Sequence, residues 1–280
     1  MTSTAQPAAP TVSLRHGAEM PVLGLGTWPM DNRETADAVA AAIGAGYRMV
    51  DTAENYGNEE GVGEGIRRSG IDRAEIFITS KFNRSWHSVD GVRRAFEDSS
   101  RRLGVGYIDL FLIHWPNPGL GQFIEAMKGL DALRADGLIR AAGVSNFKTH
   151  HLRALFDAGL VPEVNQVQLD PRHTRTGIRE LDAARGIVTE SWSPLGRNSG
   201  LLDDPLILEL AAKYGRTPSQ IVLRWHTQLG LVATPKSGNP ARLKENIGIF
   251  DFTLDDDDLQ RVSSLDAGEG GILDSDQFGH

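Results

Sequence analysis

Asp51, Tyr56, Lys81 and His114 are four ionisable residues in the first half of the chain, each at or just past the end of a short apolar run. Asp51 follows Tyr47-Arg48-Met49-Val50, and Lys81 follows Glu75-Ile76-Phe77-Ile78-Thr79-Ser80. His114 closes Ile108-Asp109-Leu110-Phe111-Leu112-Ile113, and Tyr56 lies one short loop past Asp51. Together these types suit proton donation to a carbonyl. A free tyrosine has a pKa of about 10, too high for efficient transfer near neutrality, but a nearby ammonium favours the phenolate and lowers it. Lys81 supplies that charge, and Asp51 pairs with Lys81 so that no cation is buried alone. A neutral His114 can donate a ring N–H to the substrate oxygen and orient the carbonyl. Each residue singly has an ordinary explanation in packing or in a structural ion pair. Four at strand or loop ends point to catalysis.

For these side chains to meet, their strands must open on one face. Short runs rich in Val, Ile and Leu fall at 22–26, 48–51, 76–81, 108–114, 139–145, 163–166, 187–192 and 231–235, with segments of helical period between them. A hairpin at 11–14 and 21–24, turning near His16-Gly17-Ala18-Glu19, precedes and overlaps the first run. Helix candidates at 34–45, 89–103 and 124–135 stop at or before Gly46, Gly104 and Gly137, where glycine permits a left-handed end. Asp255-Asp256-Asp257-Asp258 after Thr253-Leu254 reads as the acidic first turn of a late helix. Eight strand candidates in regular alternation predict an α/β fold, a (β/α)8 barrel with an N-terminal β-hairpin and extra C-terminal helices. A doubly wound dinucleotide fold would need G-x-G-x-x-G after its first strand, and neither Gly24-Leu25-Gly26 nor Gly61-Val62-Gly63-Glu64-Gly65 has that spacing.

The 280 residues, 40% of them hydrophobic, suit one domain over 11–280 behind a frayed tail at 1–10. With no long apolar stretch, no membrane span is expected. The absence of cysteine excludes disulfides and thiolate chemistry and fits a reducing compartment. The first residues lack the basic start and apolar centre of a signal peptide, so a cytoplasmic protein is expected. A formal charge of −8 argues against broad nucleic-acid binding and for a small-molecule partner. No P-loop, H-E-x-x-H or G-x-S-x-G pattern occurs. His150-His151 reads as a helix start with no carboxylate partner at ligand spacing, so no metal is expected.

Several motifs carry a resemblance. Gly24-Leu25-Gly26-Thr27-Trp28, Asp51-Thr52-Ala53-Glu54-Asn55-Tyr56-Gly57-Asn58-Glu59, Ile113-His114-Trp115-Pro116, Gly143-Val144-Ser145-Asn146-Phe147, Val164-Asn165-Gln166 and Pro235-Lys236-Ser237 resemble, in the same order, those of the aldo-keto reductases. The similarity runs from about Val12 to the C-terminus and is nearest to bacterial diketogluconate reductase-like members. It implies that Asp51, Tyr56, Lys81 and His114 form the catalytic tetrad, with Tyr56 as acid in reduction and base in oxidation. No side chain supplies hydride, so a nicotinamide cofactor is implied, and the family binds NADPH/NADP+ extended across the barrel mouth.

Under this resemblance Ser145, Asn146 and Gln166 meet the carboxamide, and Trp192 offers a flat face to the nicotinamide. Ser193, Leu195 and Gly196 lie in a loop over the pyrophosphate. Lys236, Ser237 and Arg242 belong to a helix start with backbone N–H groups free for phosphate. The two cations there favour the 2′-phosphate of NADPH, while Glu245 and Asn246 meet the adenine. Trp28, Trp86 and Trp115 line the substrate mouth. The glycine-rich tail after Leu265 is expected to be mobile, leaving an open site for keto-sugars and dicarbonyls such as methylglyoxal. The expected activity is therefore NADPH-dependent reduction of aldehydes, ketones or dicarbonyls by a monomer. Two readings compete. One is a non-catalytic NADPH-binding regulatory protein, and the other is an aldolase whose Lys81 forms a Schiff base, which leaves Ser145, Asn146, Gln166 and the 236–246 segment without a use.

Overall fold

A computed structural model describes residues 9–197 and 199–280, so residues 1–8 of the expected N-terminal tail lie outside the described residues. The hairpin pairs β1 (Thr11–Ser13) with β2 (Glu19–Pro21). Eight parallel strands follow: β3 (Leu25–Gly26), β4 (Met49–Asp51), β5 (Phe77–Phe82), β6 (Ile108–Ile113), β7 (Ile139–Ser145), β8 (Val164–Gln168), β9 (Val188–Trp192) and β10 (Val232–Thr234). Each pairs with the next in chain order. Isolated parallel bridges from Leu23 to Ala233 and from Gly26 to Lys236 join the two edges into a barrel. At this seam a Cβ on Gly26 would lie 2.7 Å from the Thr234 carbonyl oxygen, so the closure needs glycine. The expected first strand shrinks to its last two residues because 22–24 pair across the seam by single bonds rather than a regular ladder.

Helices α1 (Asn32–Gly44), α2 (Glu59–Ser69), α3 (Val89–Leu103), α4 (Phe123–Ala135), α5 (Thr149–Asp157) and α6 (Thr176–Ala184) each connect two consecutive barrel strands. Both α7 (Pro205–Tyr214) and α8 (Pro218–Gln228) lie between β9 and β10, and α9 (Pro240–Ile247) and α10 (Asp256–Ser263) follow the last strand. Their ends have local causes. Ser88 Oγ caps the Gly91 amide at the start of α3, and Gly104 ends that helix at φ 69°. Asp255 caps α10, and the aspartates behind it favour the positive end of the helix dipole. The Gly61-Val62-Gly63 run belongs to α2, where a Cβ on Gly63 would lie 2.0 Å from the Leu103 carbonyl oxygen. That glycine serves helix packing, not phosphate binding.

Met49, Phe77, Leu110, Leu112, Val164 and Val232 fill the barrel interior together with Leu14 and Met20 from the hairpin region. Leu112 is fully buried, so Leu112→Ala is expected to cost about 2–5 kcal/mol of stability, read as a lowered urea midpoint. Among the described residues no helix is long and apolar enough to cross a membrane.

Candidate active site

Paired in parallel, β4 and β5 end in Asp51 and in Lys81-Phe82, which brings the two charged side chains together at the barrel mouth. Lys81 Nζ donates to Asp51 Oδ1 at 2.7 Å and to the Thr52 carbonyl at 2.9 Å, and it stands 3.4 Å from Tyr56 Oη. Burial works against the Lys81 charge, yet Asp51 and Tyr56 prevail and hold the ammonium above the ordinary lysine range. Tyr56 ends a short 3-10 turn, Glu54–Tyr56, that is closed by Gly57 at φ 66°. From sequence its phenol is expected to be lowered by Lys81. The structure differs: burial pushes the phenol up, Lys81 only partly offsets this, and Asp51 and Glu190 oppose Lys81. The net shift is upward, which keeps Tyr56 in the protonated form that a general acid needs.

His114 follows β6 directly and is buried. Burial, then Lys81 and His280, place its pKa well below the usual histidine value, so the ring is neutral. It meets Tyr56 edge-on, with ring centroids 5.8 Å apart. A polar brace holds this pair. Asn146 Nδ2 donates to the His114 carbonyl at 3.0 Å, and Trp192 Nε1 donates to Asn146 Oδ1 at 2.9 Å. Asn146 itself sits at φ 64°, a left-handed conformation that asparagine tolerates better than most residues. Ser145 Oγ donates to the Gln166 carbonyl at 3.0 Å, and Gln166 Nε2 donates to Asp51 Oδ2 at 2.7 Å. The three residues expected to meet a carboxamide thus also hold Asp51, His114 and Trp192 in place.

One cavity of about 260 Å³ joins these groups. Asp51, Tyr56 and His114 line it together with Ser145, Asn146, Gln166, Trp192, Ser193, Lys236, Trp28 and Trp115. Lys81 lies behind Asp51 and Tyr56, fully buried. Other expected residues fall outside the lining. Trp86 turns its Nε1 onto Glu54 Oε1 at 2.9 Å, forming a hydrogen-bonded group beside the mouth. Leu195 packs against the core, and Gly196 turns the loop at φ 73°. Glu245 accepts from Thr217 Oγ1 at 2.8 Å, Asn246 and Ser237 are buried, and Arg242 is exposed. The expectation of free amides at the start of α9 needs correction, because Asn239 Oδ1 accepts from the amides of Ala241 and Arg242 at 2.9 and 3.3 Å.

Arg197, which the sequence reading passes over, also lines the cavity. Its guanidinium carbon lies 4.9 Å from the Trp192 ring centroid and 5.6 Å from that of Trp28, and its Nε donates to Ser193 Oγ at 2.9 Å. It stands one residue past the Ser193-to-Gly196 segment, the only local signal for it.

The tail is not an open flap. Asp274 and Asp276 accept from Lys148 Nζ, and Asp276 Oδ1 lies 2.9 Å from Nε2 of both His150 and His151. His151 Nδ1 accepts the Lys148 amide, so its proton sits on Nε2, the nitrogen facing Asp276. The histidine pair therefore does start a helix, but a carboxylate reaches it from far along the chain. Beyond this latch Phe278 packs edge-on against Trp115 at 4.7 Å, and His280 does the same against His114 at 4.7 Å. Leu273, Phe278 and His280 line the cavity, so the mouth is narrowed where a mobile tail and an open site were expected.

The family described as the aldo/keto reductase family matches residues 22–267. A protein named methylglyoxal reductase DkgA, from Escherichia coli strain K12, is 45% identical over 97% of this chain and 99% of its own length. A protein named aldo-keto reductase, from Mycobacterium sp. strain KMS, is 48% identical over 93% of this chain and 94% of its own. Among solved structures, an aspartate-to-alanine variant of Gox0644 in complex with NADPH superposes with a TM-score of 0.92 at 42% identity, covering 98% of this chain and 100% of that one. A Bombyx mori aldo-keto reductase in complex with NADP gives a TM-score of 0.87 at 33% identity, covering 93% of this chain and 94% of that one. With the barrel, the ordered motifs and the family match spanning most of its length, the chain belongs to the aldo/keto reductase family.

Proposed function

We propose that the protein reduces small aldehydes, ketones and dicarbonyls to alcohols with NADPH, using Tyr56 as the general acid. The observation that carries this reading is the Lys81 ammonium, within 2.7 Å of Asp51 and 3.4 Å of Tyr56, beside a neutral His114 at a single cavity. The donor set around that cavity fits a nicotinamide dinucleotide. Trp192 offers a flat face, Ser145, Asn146 and Gln166 offer hydroxyl and amide groups, and Lys236 offers a charge for phosphate. When bound, the cofactor supplies hydride to the carbonyl carbon. His114 orients the carbonyl oxygen through a ring N–H, Tyr56 donates the proton that the oxygen acquires, and Lys81 stabilises the phenolate that remains. Asp51 and Gln166 keep the Lys81 amine aimed at Tyr56. Trp28, Trp115, Phe278 and Leu273 exclude water from the reacting face.

Methylglyoxal and keto-sugars are the proposed substrate classes; the name of the similar methylglyoxal reductase supports the first, and the polar residues of the cavity, Asn146, Ser193 and Arg197 among them, suit the hydroxyl and carboxylate groups of the second. We take the enzyme to be a monomeric domain over 11–280 acting in the cytoplasm, a reading the cysteine-free sequence fits. Loss of NADPH absorbance on adding a panel of small aldehydes, dicarbonyls and keto-sugars tests the activity. NADPH binding without turnover across the panel would instead favour the regulatory reading.

Lys236→Ala is expected to raise the KM for NADPH by about ten- to a hundredfold, the worth of one charged phosphate contact, and to leave the KM for NADH unchanged. Steady-state kinetics with both cofactors checks this. An unchanged ratio of the two KM values would remove Lys236 from phosphate recognition.

A further inference from the structure

We propose that Glu190 is a positioning residue for this reaction, a second buried carboxyl one strand from, and in register with, the Gln166 that holds Asp51, and that its charge raises the pH at which Tyr56 changes from acid to base. The inference rests on the tetrad reading above.

Period-two alternation along β9 determines where Glu190 points. Its neighbours face the outer helices: Thr189 Oγ1 donates to Asp182 Oδ2 at 2.9 Å, and Ser191 Oγ lies 3.1 Å from His226 Nδ1. Glu190, between them, faces the barrel interior and is fully buried. It is in register with Gln166 on β8 and Val232 on β10. Gln166 is the residue whose amide holds Asp51 Oδ2. Neither Glu190 carboxyl oxygen has a hydrogen-bond partner of ordinary geometry among the described residues.

The charged and titratable groups facing Glu190 are Asp51 from β4, Lys81 from β5 and Tyr56 from the turn after β4, with Gln166 the polar neighbour on β8. Three acids therefore share one ammonium, and Lys81 is already bonded to Asp51. Burial first and Asp51 second push the Glu190 carboxyl up to about 8, against the smaller pull of Lys81 and Gln166. At neutral pH Glu190 is uncharged and opposes Tyr56 little. Above that range its charge opposes the phenolate, so Tyr56 keeps its proton to higher pH. Reduction needs that proton and alcohol oxidation needs its absence, so an ionised Glu190 extends reduction into the alkaline range and delays oxidation.

Glu190→Gln keeps the shape and removes the ionisation. The falling limb of kcat/KM for carbonyl reduction and the rising limb for alcohol oxidation should both move about one unit toward lower pH, with kcat at pH 7 within about threefold of wild type. A merely structural role would lower kcat at every pH and leave both limbs in place, and that result overturns the proposal. Should Glu190→Gln fail to fold, Glu190→Ala reads the same limbs, with the same shift expected and the same overturning result.

Stability gives an independent readout. Between about pH 4.5 and pH 8 the native protein keeps a proton that the unfolded chain releases, so stability falls with rising pH across this window. Glu190→Gln should remove this group's share of the slope, read as the difference between variant and wild type, and leave the share of Asp182, which burial raises to about 7. Tyr56→Phe run alongside separates the two readings: turnover retained there overturns the tetrad, whereas turnover lost there with unmoved limbs in Glu190→Gln overturns Glu190 alone.

Discussion

Tyr56→Phe should lower kcat for carbonyl reduction by about 10²–10⁴-fold and leave NADPH binding nearly unchanged. The substitution removes one oxygen, the atom 3.4 Å from Lys81 Nζ, and leaves a ring of the same shape. No neighbour can take over its proton. His114 is neutral, with a pKa well below the ordinary value, so near neutral pH it has no proton to release as an acid. Lys81 is held above the ordinary lysine range and is committed to Asp51 and the Thr52 carbonyl. A thousandfold loss corresponds to about 4 kcal/mol of transition-state stabilisation. Single-turnover measurement of NADPH oxidation, with cofactor affinity measured in parallel, checks the result. A kcat within tenfold of wild type would mean that another group donates the proton.

Lys81→Met should damage both the fold and the chemistry. Lys81 is fully buried against Asp51, and deleting one partner of a buried ion pair typically costs about 3–5 kcal/mol because the other charge is stranded. Here the stranded carboxylate keeps Gln166 as a hydrogen-bond donor but loses the cation that balanced it beside Glu190. Tyr56 loses the only group that lowers its pKa directly by charge and hydrogen bonding, so kcat should fall by at least about a hundredfold as well. The double variant Asp51→Asn with Lys81→Met separates the two effects. It should recover much of the urea midpoint, since no buried charge is left unpaired, and it should remain inactive. Recovery of turnover in the double variant would show that the ammonium is dispensable.

Particular elements show what local physics makes legible. The bounds of α3 agree with the sequence reading at both ends because Ser88 and Gly104 are strong end signals one residue outside it. The run expected at 163–166 is β8 from Val164 to Gln168, displaced toward the C-terminus because Asn165, Gln166 and Gln168 interrupt the apolar pattern that marks the neighbouring strands. The tetrad is legible for a related reason. A barrel places every strand end on one face, so charged residues that close apolar runs converge whatever their separation in sequence.

Other features have no short-range signature. Gln166 reaches Asp51 across 115 residues, and Asp276 reaches His150 across 126. The latch that folds the tail over the mouth is invisible until the chain is folded, and so is the filling of the mouth by Phe278 and His280. Arg197 and Glu190 belong to the same class, one seated between Trp28 and the Trp192 that ends β9, the other made costly to ionise by burial first and by Asp51 on β4 second.

The amino-acid sequence by itself determined the barrel, its eight strands, the meeting of Asp51, Tyr56, Lys81 and His114 at its mouth and the family the chain belongs to, because these follow from periodicity, end signals and ordered motifs. Tertiary structure alone decided the protonation preferences of Tyr56 and Glu190, the bracing of Asp51 and His114 by the expected cofactor residues, and the narrowing of the mouth by the tail. Those properties depend on burial and on charges brought within a few ångströms by the fold, which spacing along the chain does not encode.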